Sequence, residues 1–438
     1  VKVSKRVVHK YLHDFHKFPM RFYMTESLFY LFIFLATFQL IVKIVLNYVN
    51  LNYVRQRQDS VPADFADKID LESHKKAATY TIAKMKFNSV SSAWHYAILM
   101  FWIAFGGLNM LDQWSRSMGL ETTPTALVFV CALALASMVL GLPESIYHTF
   151  VLEEKFGFNK TTPKLFVIDK FKELLVSAVI GLPFFYALMK IMQGLGSSWW
   201  FFAATFMLGF QFIMLWAYPR FIAPLFNKFS KLEDQHLVEE IEKLLARIDL
   251  NFKDYYVMNA SIRSSHGNAY FTGFGKNKRI VFFDTLLKTL APQEIVSVLA
   301  HELGHLKRKH ILKSMAIMSV FLYIGFYILG VSYESEVFYT AHNVQNQSSY
   351  MALILFMYLV PIYTFPMTPV SAWFSRRNEY EADEFAVKNA SGQELISALV
   401  KMYKDNSSSL TPSPVYSKFY FSHPPAAERV SFIKSQEA

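Results

Sequence analysis

The stretch Pro292-Gln293-Glu294-Ile295-Val296-Ser297-Val298-Leu299-Ala300-His301-Glu302-Leu303-Gly304-His305-Leu306-Lys307-Arg308-Lys309-His310 runs almost directly into an apolar segment at 313–333. The apolar segment has the length of a membrane-spanning helix, for which about 20 residues suffice. The stretch before it is patterned as a helix, with Pro292 at a favoured first-turn position. It carries His-Glu-x-x-His. Residues four apart on a helix are offset by about 40°, so both imidazoles face one way. Two neutral imidazoles side by side suit Zn²⁺. Glu302 lies about 100° around the helix, near enough to reach water at the metal without ligating it, and is the natural general base. Gly304 leaves room for another backbone to approach. The expectation is a membrane protein with hydrolytic metal chemistry where a span meets water.

Working outward, six further apolar runs of spanning length stand at 27–49, 92–111, 125–142, 174–192, 199–218 and 350–370. The composition agrees. Of 438 residues, 53% are hydrophobic, 17% aromatic and only 18% charged, against about 25% charged in a soluble domain. That excludes a disordered chain, a collagen and an ordinary soluble globule. A single cysteine, Cys131, excludes a disulfide scaffold. The first run follows a basic stretch (Lys2, Lys5, Arg6, Lys10, Lys17, Arg21) and lacks a small-residue cleavage site, so a retained anchor is expected. The chain opens on Val1, and an upstream Met is expected.

The net charge of +10 reads first as topology. Alternate connections place 34 Lys and Arg on one side of the membrane and 7 on the other. Leaving out the long fifth loop, which counts less in this rule, the balance is still 20 against 7. The richer side, holding His301–His305, is expected in the cytosol. The basic N-terminus falls on the other side and works against this. No motif of a nucleic-acid reader is present, and no nucleic-acid partner is expected.

The long loop 219–312 opens on an amphipathic helical pattern with Leu237, Ile241, Leu244 and Ile248 on one face. Aromatic and β-branched runs at 255–258, 268–274 and 279–283 follow, and read as a short hairpin or sheet with a turn at 275–278. The expected organisation is 1–218 with five spans, 219–312 as a cytosolic loop with hairpin and HExxH helix, 313–370 with two spans, and 371–438 as a C-terminal segment completing the site. Sequons at Asn159 and Asn389 fall on the cytosolic side and are expected to be unused. One at Asn346 falls on the opposite side, where modification is open to it.

A catalytic zinc takes a third protein ligand and keeps one position open. The spacing with a third histidine six residues after His305 is absent, since that position is Ile311. His310 is nine residues after His301, which on a continuous helix points it to the opposite face. It is read as an ordinary polar residue. The best source of the third ligand is Glu379-Tyr380-Glu381-Ala382-Asp383, which follows the seventh span and so emerges on the same side. Glu379 and Asp383 share a helical face and Glu381 points away. Glu379 is the expected metal ligand with His301 and His305. Asp383 is expected either to orient a ligand histidine or to take part in proton transfer.

Together, His301–His305, Glu379–Asp383 and seven spans resemble the integral-membrane zinc metalloproteases of the M48 type that process CaaX proteins, the Ste24 type (ZMPSTE24 or FACE-1 in animals). Val151-Leu152-Glu153-Glu154-Lys155-Phe156-Gly157-Phe158-Asn159-Lys160 is similar to a signature of that family. So are Arg263-Ser264-Ser265-His266-Gly267-Asn268-Ala269-Tyr270-Phe271-Thr272-Gly273, with Gly267 where Ser is expected, and the closing Ser422-His423-Pro424-Pro425-Ala426-Ala427-Glu428-Arg429. The zinc residues alone fit bacterial HtpX-like quality-control proteases equally well; the run 151–160 separates the two. The resemblance implies an all-α integral-membrane fold, with seven helices ringing an intramembrane chamber and a small α/β gluzincin-like region on the cytosolic side. It implies one Zn²⁺ per chain, an endoplasmic reticulum membrane with the inner nuclear membrane as a second location, and removal of the last three residues of a prenylated CaaX protein. In some members it implies a second, upstream cut. It implies roles for Glu302 as base, for His423 as oxyanion donor with Arg429 in support, and for Arg429 together with Asn268 and Tyr270, the latter two on an exposed strand edge, in holding substrate. The run 151–160 is expected to pack under the zinc helix.

Overall fold

The computed structural model describes residues 5–252, 254–272 and 279–437, with side chains from Tyr23 onward except Thr272. Lys2, Gly273 and the turn at 275–278 lie outside the described residues, as do the side chains of the other basic residues before Tyr23.

In chain order, the first five spans are built from α1 (Lys5–Arg55), α2 (Leu71–Trp102) with α3 (Gly107–Ser117), α4 (Thr122–Tyr147), α5 (Pro163–Gly194) and α6 (Trp199–Ala217). The water-facing region then holds β1 (Phe229–Lys231), α7 (Gln235–Arg247), β2 (Asp254–Met258), β3 (Ala269–Thr272), β4 (Arg279–Phe283) and α8 (Pro292–Lys307). Two more spans follow, α9 (His310–Tyr333) and α10 (Ser349–Thr364). The latter runs on through a short 3₁₀ turn into α11 (Thr368–Asn389). The chain closes with α12 (Gly392–Asp405), α13 (Pro414–Tyr420) and α14 (Ala426–Glu437).

Among the described residues, six helices are long and apolar enough to cross a membrane alone; the pair α2 and α3, bent by 51°, taken as one span makes seven. The apolar run 92–111 is therefore not one straight helix. The chain breaks there because Gly106 takes a left-handed φ of 73°, and because a Cβ at Gly107 would lie 2.8 Å from the Phe101 carbonyl oxygen. A broken helix inside lipid leaves carbonyls without donors. Asn343 supplies one, its Nδ2 donating to Ile103 O at 3.3 Å and Ala104 O at 3.0 Å.

The spans close into a ring. α1 packs on α2, α3 on α4, α4 on α5, α5 on α6, α6 on α9, α9 on α10, and α10 returns to α1. One end is plugged by a core drawn from every wall, including Phe32, Trp102, Phe129, Met189, Trp199, Leu329 and Tyr350. Away from that plug the spans stay largely exposed. That is the signature of walls facing lipid on one side and a hollow on the other. Asn346, the sequon on the side away from the zinc helix, has its amide engaged, donating to Asp112 Oδ2 at 3.0 Å beside the plug.

At the opposite end, a second core joins Ile241 and Leu244 of α7, Ile280 and Phe282 of β4, Leu299 and Leu303 of α8, Leu395 of α12 and Val430 of α14. Each fully buried aliphatic side chain contributes about 1.5–3 kcal/mol. The predicted face of Leu237, Ile241, Leu244 and Ile248 is the buried one, with Asp234 capping the start of α7 by accepting from Leu237 N. The sheet has four strands in the order β1-β2-β4-β3. β2 and β4 are parallel, while β1 and β3 each pair antiparallel at the edges. Three-residue β1 carries too short a pattern to be read from sequence. Among the described residues β3 pairs only with β4, lies at the edge of the sheet and packs on α8.

The run 151–160, expected under the zinc helix, has its named contacts elsewhere. It pairs with the segment leading into β3: Asn159 bridges Ser264, Ser265 N donates to Phe158 O at 3.2 Å, and the Phe158 ring stacks on His266 with centroids 4.5 Å apart. Its aromatic residues are structural, since Tyr80, Phe156 and Phe158 share one small core, and Glu153 accepts from the Tyr80 hydroxyl at 2.6 Å.

Candidate metal centre

α8 presents His301 and His305 one turn apart. α11 crosses it with Glu379 and Asp383 one turn apart on the face toward it. The crossing is close because residue 304 has no side chain: a Cβ there would lie 3.0 Å from Ala382 Cα and 3.1 Å from Phe385 Cβ. α8 is held at its start by Glu294, buried, which accepts from Ala291 N at 2.7 Å, Ser397 Oγ at 2.6 Å and Lys401 Nζ at 2.8 Å. Burial alone pushes the Glu294 carboxyl up, but these three donors together bring it below the ordinary glutamate value.

His301, His305 and Glu379 offer one ligand atom each within 4.8 Å of one another. The two Nε2 atoms are 3.3 Å apart, and each is 3.4 Å from a Glu379 oxygen. The opposite nitrogens decide what these atoms are. His301 Nδ1 is 2.7 Å from Asp383 Oδ1. A carboxylate only accepts, so Nδ1 carries the proton and Nε2 of the neutral ring is a bare lone pair. Glu379 Oε2 is buried with no hydrogen-bond partner among the described residues. Acceptors thus converge on acceptors, an arrangement that needs a cation between them. Two imidazoles and a carboxylate fit Zn²⁺ with a fourth position left for water. Without an ion, a second proton must serve instead. Although burial and the Arg429 charge pull His301 down, Asp383 and Glu379 lift it to about 9.

Asp383 is fully buried and bonds Arg429 as well, accepting from Nε at 2.9 Å and Nη2 at 2.5 Å. Arg429, expected to contact substrate, is therefore placed elsewhere. It is buried behind the histidines, its guanidinium clasping Asp383 with Nη2 also 3.3 Å from His301 Nδ1.

His310 also departs from its reading as an ordinary polar residue on the far face. α8 stops at Lys307, Lys309 adopts a left-handed φ of 57°, and α9 begins at His310. The break swings the His310 ring back, putting its Nδ1 3.0 Å from His305 Nδ1 and its Nε2 3.1 Å from Glu381 Oε2. Glu381, read as pointing away, meets His310 because the ring has turned toward it. A signal was present: the basic Lys307-Arg308-Lys309 run between two strongly patterned helices marks a boundary. Helical periodicity alone cannot show a left-handed residue.

Glu302 is half-buried beside the ligands. His423 lies across from them, Nε2 3.3 Å from Glu379 Oε1, with its side chain 61% exposed. Its loop is held by Arg376, which sequence reasoning passed over. Arg376 Nη1 donates to Phe421 O at 2.8 Å and Ser417 O at 3.2 Å. Asn268 is exposed just before edge strand β3, its main-chain oxygen accepting from Phe283 N at 2.9 Å. Tyr270 lies on β3, but its ring packs into a small cluster with Val281 and Phe283. Its main chain faces β4 as well: Asn268 O accepts from Phe283 N, so by antiparallel alternation the Tyr270–Val281 pair is hydrogen-bonded, and the outward main-chain groups of β3 belong to Ala269 and Phe271.

A ring of seven spans capped by an HExxH helix, a glutamate helix and a small mixed sheet defines a multi-pass membrane metallopeptidase architecture. Residues 50–228 match the family model described as CAAX prenyl protease N-terminal, five membrane helices, and residues 231–437 match peptidase family M48. The chain is 33% identical over 414 residues to CAAX prenyl protease 1 homolog of Oryza sativa, covering 90% of this chain and 96% of that one. It is 32% identical over 409 residues to CAAX prenyl protease 1 of Saccharomyces cerevisiae, covering 87% and 90%. The crystal structure of S. mikatae Ste24p superposes with a TM-score of 0.87 at 30% identity, covering 93% of this chain and 99% of that one. The chain belongs to the CAAX prenyl protease family of the M48 peptidases.

Proposed function

We propose that this protein is a zinc-dependent endopeptidase of the endoplasmic reticulum membrane that removes the last three residues of prenylated CaaX proteins, with its site facing the cytosol. The observation that carries the reading is the convergence of His301 Nε2, His305 Nε2 and Glu379 on one point beside an outward strand edge, at the open end of a ring of spans. One zinc per chain, held by these three, would supply Lewis acidity, lowering the pKa of a water and polarising the scissile carbonyl.

The chain's own groups do the rest. Glu302 takes the proton of the attacking water and returns it to the leaving amine. His423, reaching in from the closing segment, donates to the oxygen that becomes negative as the carbonyl is attacked. Asp383, braced by Arg429, holds His301 in register and does not reach the reacting atoms. An extended peptide adds to β3 as a further strand, so Asn268 and the outward main chain of Ala269 and Phe271 bind main chain and demand little sequence. The hollow between the spans gives an apolar prenyl chain a place out of water. The basic bias of the loops supports the cytosolic orientation, and continuity of membranes extends the location to the inner nuclear membrane.

The test is cleavage of a farnesylated CaaX peptide by detergent-purified protein, with product masses. Loss of the C-terminal tripeptide is expected, abolished by chelator and restored by Zn²⁺. Product masses from a longer precursor would also reveal a second, upstream cut. Equal cleavage of bare and farnesylated peptide would instead point to a general quality-control protease of the HtpX-like type, which the curated relatives do not favour.

A further inference from the structure

We propose that His310 and Glu381 are positioning residues for the second zinc ligand, holding His305 in the tautomer and orientation that aim a free Nε2 at the metal. The inference rests on the zinc reading above and adds to it the part of the site that no ligand motif contains.

The argument is a count of protons. Glu381 is a carboxylate, kept charged by Arg377 and Lys313 at 3.7 and 4.0 Å, and can only accept. The neutral His310 ring, 3% exposed, must therefore carry its hydrogen on Nε2 and offer a lone pair on Nδ1. That lone pair faces His305 Nδ1 at 3.0 Å with the rings at 72°. His305 must then donate from Nδ1, which leaves Nε2 bare. Each step has one solution for neutral rings. The result matches the other ligand, where Asp383 does the same for His301 directly. Each ligand imidazole is thus backed by a carboxylate, one at first hand and one through an intervening ring.

The backbone is shaped for this contact. On a continuous helix, residue 310 would stand about 140° around from His305. The left-handed Lys309 removes that angle, and among the described residues Lys309 makes only helix-end backbone hydrogen bonds. Because His310 is also the first residue of α9, the link ties a zinc ligand to the wall of the ring.

The experiment uses full-length, detergent-purified protein, and measures zinc affinity by competition with a chelator alongside thermal unfolding of the zinc-free form. Outer partners of this kind are worth roughly 10–100-fold in metal affinity. His310→Leu should weaken zinc binding by that factor. His310→Asn places a carbonyl oxygen near the former Nδ1 and should recover most of the loss. Glu381→Ala, half-exposed and so safer for folding, should weaken binding in the same direction and stands in if the leucine variant does not fold. Zinc-free stability should be similar across the folded variants. Unchanged zinc affinity in His310→Leu or, failing that, Glu381→Ala would overturn the proposal, as would an asparagine variant no better than leucine. If the wild type itself takes up no zinc, the reading of the whole site fails instead, and the positioning role with it.

Discussion

Gly304 and Ala382 touch backbone to backbone: a Cβ on Gly304 would lie 3.0 Å from the Ala382 Cα. This contact sets the distance between the helix carrying His301 and His305 and the helix carrying Glu379 and Asp383. The site is assembled by two helices far apart in sequence, and the missing side chain at 304 lets them come close enough to share an ion.

Gly304→Ala is a test in which two effects oppose each other. Helix propensity favours alanine by about 1 kcal/mol. Overpacking a tight contact costs about 1–3 kcal/mol. With backbone atoms of Ala382 at 3.0 and 3.2 Å as the obstruction, overpacking should win. Thermal unfolding should show net destabilisation, and zinc titration weaker binding. A more stable variant with intact zinc affinity would mean that the helices spread freely.

Glu302→Gln should keep zinc and lose cleavage by at least 10²–10⁴-fold, the usual worth of a general base, because ligation and proton transfer fall on different residues. Glu379→Ala should do the reverse in order, losing zinc first and activity as a consequence. Metal content and cleavage measured on the same preparations check both.

Zinc affinity should climb with pH. In the ion-free protein the carboxylates around His301 hold a proton up to about 9, and binding must expel it. The apparent affinity should therefore rise by up to about tenfold per pH unit below 9, and flatten above it. For the zinc-free protein the sign reverses. A histidine raised from its unfolded value adds stability below about 6.5, and that contribution is lost as pH rises through 9. Chelator competition at several pH values, and unfolding of the stripped protein, check the two signs.

Glu294 should make the HExxH helix acid-sensitive. Its carboxylate is buried among Ala291 N, Ser397 and Lys401 and held below its ordinary value. A depressed carboxylate stabilises the fold above its unfolded pKa of about 4.3 and ceases to as pH falls through the folded value. Glu294→Ala should cost about 1–3 kcal/mol at neutral pH by stranding those partners, with the gap to wild type narrowing in acid.

Much of this protein is legible in one chain. Apolar runs of spanning length mark the seven walls, since lipid demands a continuous hydrophobic stretch wherever a helix crosses it. His301 and His305 announce themselves because one helical turn is enough to align them. Glu379 could be chosen because it follows the seventh span on the same side of the membrane. The bend at Gly106, by contrast, needed a neighbour: Asn343, more than two hundred residues later, to satisfy the freed carbonyls.

The amino-acid sequence by itself determined which segments cross the membrane and which side chains are able to hold a metal, because both follow from local composition and helical period. Only the tertiary structure decided that Arg429 lies behind the ligands, that the run 151–160 braces the approach to β3, and that His310 turns back onto His305. Those outcomes depend on one left-handed residue and on contacts between distant segments, and neither leaves a periodic trace along the chain.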